Sequence, residues 1–115
     1  MIEEIIYDYL TTALQGIPVY MVVPDIQNPD GATYVAVEKT GGGMENHIKN
    51  ATIAVQSYAP TLYGAMQLNE AVKTAMLEIV TENTISGVRL NSDYNFTDTS
   101  TKQPRYQAVF IVYYY

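Results

Sequence analysis

The spacing of apolar residues along this chain changes several times, and each change marks an element. From the amino end, Ile2, Ile5, Ile6, Tyr9, Leu10, Ala13 and Leu14 recur at steps of three and four, which gathers them on one helical face. Glu3 and Glu4 fall in the first turn, where carboxylates complement the positive end of the helix. Gly16 suits a left-handed cap and Pro18 blocks continuation, so the predicted helix spans about residues 2–15. Val19–Val23 is short, apolar and β-branched, and reads as a strand. Pro24–Gly31 holds two prolines and an Asp-Gly pair, the marks of a surface loop. Thr33–Lys39 resumes as a strand with Val35 and Val37 on one face. The run Gly41-Gly42-Gly43 then predicts a flexible reversal at the tip of an antiparallel hairpin.

The stretch from His47 to about Val80 organises the rest. Ala51, Ile53 and Val55 alternate with Thr52 and Gln56 as a half-buried strand does. Pro60 stands where a helix can begin, since a first helical position needs no N–H. Ala65, Leu68, Val72, Ala75, Met76 and Ile79 follow at helical spacing, and Asn83 is placed to cap the end. Val88 and Leu90 predict a further strand, weakened by Gly87. Asn91–Pro104 is polar and long for a connection inside a compact fold, which marks it as a functional or disordered loop. Tyr106–Tyr113 is apolar at both sets of alternate positions, the pattern of a strand buried on both faces in the middle of a sheet. The expected order is α-β-β-β-α-β-β in one domain, residues 1–115. This is an α+β fold, with two helices packed on a mostly antiparallel or mixed sheet of about five strands.

Composition narrows the function more than it identifies it. A chain of 115 residues can bury a core without staples, and the absence of cysteine rules out disulfides and thiolate chemistry. The opening Met1-Ile2-Glu3-Glu4 lacks the basic start of a signal peptide, and no apolar run approaches a membrane span, so a reducing cytosol is the expected compartment. Twelve acids against six bases give a formal charge of −6, and the bases are scattered, which argues against tight phosphate binding. Eleven tyrosines without tryptophan fit either protein interfaces or ordinary strand positions.

Candidate chemistry is thin. The glycine run lacks the Lys-Ser/Thr ending of a phosphate loop and opens no helix. Asp93–Asp98 imitates half of a calcium loop, but has no glycine at the sixth position, and Pro104 takes the place of the bidentate Glu. His47 is the only histidine, so a zinc site would depend on carboxylates that do not cluster, and no serine lies in a nucleophile turn. No catalytic, cofactor or metal-ligating residue is assigned, and the chain is not read as an enzyme.

Three segments together carry a resemblance. They are Val37–Gly42; Asn46–Lys49 through Gln56-Ser57-Tyr58 to Leu68-Asn69; and Leu90–Asp98 followed by Arg105–Phe110. In that order they resemble the tail terminators, also described as tail-completion, head–tail joining or minor capsid proteins, of long-tailed phages and prophages of Gram-positive bacteria. The resemblance implies a structural protein of the virion neck, assembled in the host cytoplasm. It implies a ring, commonly of six subunits, on the last ring of the tail tube. The partners so implied are further copies of the chain, the tail-tube protein and a head-completion or connector protein, with DNA passing through without tight binding. Another connector or head-completion role is the alternative, and a small ligand-binding or regulatory module is a third reading. The candidate intersubunit contacts are Gly41, Gly42, Gly43, Glu45, His47, Asp93, Tyr94, Phe96, Asp98, Lys102 and Arg105. They lie in polar stretches that the core leaves unexplained.

Overall fold

The computed structural model describes residues 2–21, 33–97 and 103–115. Helix α1 (Ile2–Ala13) buries Ile2, Ile6 and Leu10, and Gly16 takes the left-handed conformation (φ 83°) just beyond its last turn. Strand β1 is only Val19–Tyr20; the rest of the predicted strand from Val22, and the Pro24–Gly31 loop, lie outside the described residues. Strands β2 (Tyr34–Glu45) and β3 (Ile48–Tyr58) form a long hairpin. Helix α2 (Leu62–Leu77) and a short 3-10 turn (Ile79–Thr81) lead to β4 (Ile85–Asn95) and β5 (Arg105–Tyr114). The element order is the one expected. The sheet is mixed, in the order β1-β2-β3-β5-β4, parallel between β1 and β2 and antiparallel elsewhere.

Both helices lie on one face of this sheet. Val35 and Val37 from β2, Ala51, Ile53 and Val55 from β3, and Ala108, Phe110 and Val112 from β5 point into a core with Leu68, Val72 and Met76 of α2. Tyr9 ties the helices together, its hydroxyl donating to the Ala75 carbonyl at 2.7 Å.

Several boundaries differ from expectation, each for a local reason. Helix α2 begins after Pro60, because Thr61 caps it, its hydroxyl accepting from the Gly64 N–H at 3.0 Å. It ends at Leu77 with Glu78 as cap, so Asn83 caps nothing and Ile79 belongs to the 3-10 turn. The glycine run is not the reversal. Gly41, Gly42 and Gly43 are strand residues opposite Thr52, Ala51 and Asn50. The chain turns instead at Asn46 and His47, both at positive φ (51° and 67°), between the paired residues Glu45 and Ile48. That is the two-residue turn whose twist matches a hairpin, and Asn and His are among the side chains that tolerate it.

Asn91–Asn95 is also not a loop: it is the second half of β4, paired with β5 as far as Asn95↔Tyr106, and the Phe96 N–H still bonds the Arg105 carbonyl at 2.8 Å. Strand β5 is interior, between β3 and β4, as expected. It is not buried on both faces, however. Ala108, Phe110 and Val112 are sealed under the helices, whereas Val109, Ile111 and Tyr113 are half-buried on a face that carries no helix.

Candidate functional site

The candidate contact residues separate to the two ends of the sheet. Gly42 is eight positions along β2 from Tyr34, which places the glycine run about 25 Å from the opposite end, with the Asn46-His47 turn farther still. Just before the glycine run, a bulge at Thr40 shifts the ladder between Lys39 and Gly41. Of these glycines Gly42 serves close packing: a Cβ there would lie 3.0 Å from the Asn50 carbonyl oxygen and 3.2 Å from Lys39 Cε. Glu45 and His47 are exposed beside them. The open cleft next to this run is lined by Lys39, Met44, Lys49, Asn50 and Tyr114, with the Lys49 ammonium 5.9 Å from the Tyr114 ring centre.

The other end is built differently, on the helix-free face. Arg105 opens β5 and donates from Nε to the Phe96 carbonyl at 2.6 Å and from Nη1 to the Tyr58 hydroxyl at 3.1 Å. Its guanidinium lies 4.3 Å from the Phe96 ring centre and 5.7 Å from that of Tyr58. The Tyr58 hydroxyl donates to Gln56 Oε1 at 3.0 Å, and Gln56 Nε2 donates to Gln107 Oε1 at 2.9 Å. Gln107 Nε2 in turn donates to the Tyr94 hydroxyl. All donors run one way from the cation, so each bond polarises the next. Tyr34 stacks on Tyr58 at 4.3 Å and meets Tyr20 edge-on at 5.8 Å, while Phe96 meets Tyr94 edge-on.

Sequence reasoning singled out Tyr94, Phe96 and Arg105 but missed Gln56, Tyr58, Tyr34 and Gln107 as their partners. The available signal was two glutamines at outward positions of apolar strands, an arrangement that must satisfy its amides laterally. Asp98 and Lys102 lie outside the described residues.

Asp93 faces the other way, toward α2. Its Oδ2 accepts from Asn69 Nδ2 at 3.1 Å and from Lys73 Nζ at 2.9 Å, and Lys73 also pairs with Glu70 at 2.8 Å. Hydrogen bonds to Glu70 and then to Asp93 hold the Lys73 ammonium above the ordinary lysine range, with burial opposing. The folded chain therefore binds that proton more tightly than the unfolded chain. The resulting stabilisation is complete below the ordinary value of 10.5 and is lost as pH rises through the raised one. Urea unfolding at about pH 8 and about pH 11 is expected to show a larger alkaline loss for the native chain than for Lys73→Met. Equal losses would mean that this pair contributes nothing to stability.

These arrangements pair and pack side chains within the chain. Among the described residues no group of three or more His, Asp or Glu side chains is placed to hold a metal, and no helix is long and apolar enough to cross a membrane.

No protein-family model matches the chain. No curated protein matches it either. Among solved structures, a chain in the virion of a native gene transfer agent particle is similar, with a TM-score of 0.66 and 17% sequence identity. The match covers 91% of this chain and 83% of that one. What the two share is the fold, over nearly the whole length of this chain.

Proposed function

We propose that this chain is a structural, non-enzymatic protein of a phage-type virion, and within it a neck protein that caps the tail tube as a ring and joins tail to head. The observation that carries this reading is the fold shared with a virion chain across 91% of the sequence. The resemblance of Val37–Gly42, of Asn46–Lys49 through Gln56-Ser57-Tyr58 to Leu68-Asn69, and of Leu90–Asp98 followed by Arg105–Phe110 to tail terminators supports the narrower role. The partners are further copies of the chain, the tail-tube protein and a head-completion or connector protein.

The geometry suits such a role. The molecule presents two unlike ends, a glycine-rich tip with Glu45 and His47 and an aromatic end with Tyr94, Phe96 and Arg105. Unlike ends suit a ring that meets different partners above and below. Six copies at −6 each would carry −36, a charge that repels the phosphates of passing DNA.

Purified protein added to growing tail tubes is expected to decorate one end only and to arrest elongation. It is also expected to bind duplex DNA no more tightly than about 1 μM at physiological salt. Tubes that keep growing, or are coated along their length, would rule out the capping role. Decoration of head connectors and not of tubes would favour the connector alternative.

A further inference from the structure

A cleft of about 210 Å³ opens between α2 and the β4–β5 end, lined by Tyr63, Met66, Asn69, Glu70, Asp93 and Tyr106. That is room for one side chain; pockets for drug-sized ligands run to about 300–1,000 Å³. Asn69 is 1% exposed, and although its Nδ2 donates to Asp93, its Oδ1 has no hydrogen-bond partner. Both bonds that Asp93 accepts from α2 fall on Oδ2, and Glu70 adds a second carboxylate at the rim. Tyr63 and Met66 are 69% and 42% exposed, apolar surface with no cover. Tyrosine faces and the Asp93 and Glu70 carboxylates together match a planar guanidinium, which stacks and donates in one plane.

The chain has two arginines, and Arg105 is engaged by Phe96 and Tyr58. Arg89 is exposed and makes no hydrogen bond, ion pair or ring contact with a described residue. It stands opposite Ile111 in the ladder and so on the helix-free face, beside the half-buried Val109, Ile111 and Tyr113. The cleft belongs to the helix side of the same edge strand. One face thus offers a cation in an apolar setting, and the other offers a cleft with two carboxylates beside exposed Tyr63 and Met66.

We infer that the Arg89 guanidinium of one copy of this chain enters the Asn69–Asp93 cleft of the next, laying the helix-free face of one subunit on the α2 side of its neighbour. The contact joins two different patches, so it propagates around a ring. The inference rests on the ring reading above and specifies which surfaces form it.

The test uses Arg89→Glu, which reverses the cation, and Met66→Arg, which fills the cleft from its own copy. Both positions are exposed, and circular dichroism checks that each variant stays folded. Solution mass measured across concentration is expected to show wild-type assemblies larger than dimers. Each variant alone is expected to be monomeric, its association weakened about 30-fold or more. Mixed in equal amounts, the variants restore one good interface and stop at a dimer. Wild-type assembly that Arg89→Glu leaves unchanged, or a mixture that stays monomeric, overturns the inference while leaving the ring. A wild-type chain that is monomeric at every concentration overturns the ring itself, and the inference with it.

Discussion

Without this chain, a virion is expected to assemble heads and tails that do not join, with tails of irregular or excessive length and no infectious yield. The expectation follows from how a tube grows. Each tube ring offers its upper face to the lower face of the next, a heterologous contact that never closes on itself. A protein that stops this growth must match the tube on one side and refuse another tube ring on the other. A subunit with a glycine-rich hairpin at one end and the aromatic Arg105 cluster at the other has unlike surfaces for those two tasks. Electron microscopy of particles from a gene deletion reads the result directly. Normal-length tails attached to heads would end the capping proposal. Normal-length tails left unattached would point to a joining protein that takes no part in setting length.

The second large effect concerns the core. Phe110→Ala is expected to destabilise the fold by about 3–5 kcal/mol, the usual cost of emptying a buried aromatic site. Phe110 is fully buried, lies between Ile53 and Leu90 in the ladder, and packs in the core beneath both helices. Since a domain is held by only about 5–15 kcal/mol, the melting temperature should fall by about 10–25 °C. Val109→Ala, one residue away on the helix-free face, should cost no more than about 1 kcal/mol in the free subunit. Thermal and urea unfolding of the two variants give the comparison. Equal costs would contradict the one-sided core.

The helices were legible because their apolar residues repeat at a period that no strand can use. Ile2, Ile6 and Leu10 are buried as their spacing requires, and so are Ala65, Leu68, Val72, Ala75 and Met76. The hairpin was legible as a pair but not at its turn. A glycine run is the strongest local signal for reversal, yet the turn needs only two residues at positive φ, and Asn46 and His47 fill both places. The polar half of β4 was hidden for another reason. At an edge, one side of a strand meets solvent, and the inward Asp93 is polar because it answers Asn69 and Lys73 on α2. Such partners lie 20 and 24 residues away, beyond any local pattern. The network from Arg105 to Tyr94 was out of reach in the same way, since it depends on the register of three strands.

The placement of β5 has a consequence in time. It follows every other strand in sequence, yet it lies inside the sheet, between β3 and β4. Until residues 105–114 have left the ribosome, β3 and β4 have no common neighbour. The β2–β3 hairpin can close early, because its two-residue turn costs little loop entropy. The β3–β5 ladder cannot, since it joins positions as far apart as Lys49 and Tyr114. During that interval Ile53 and Val55 have an open edge beside them where Phe110 and Ala108 will later pair. The sheet is finished from the inside, by the strand that arrives last.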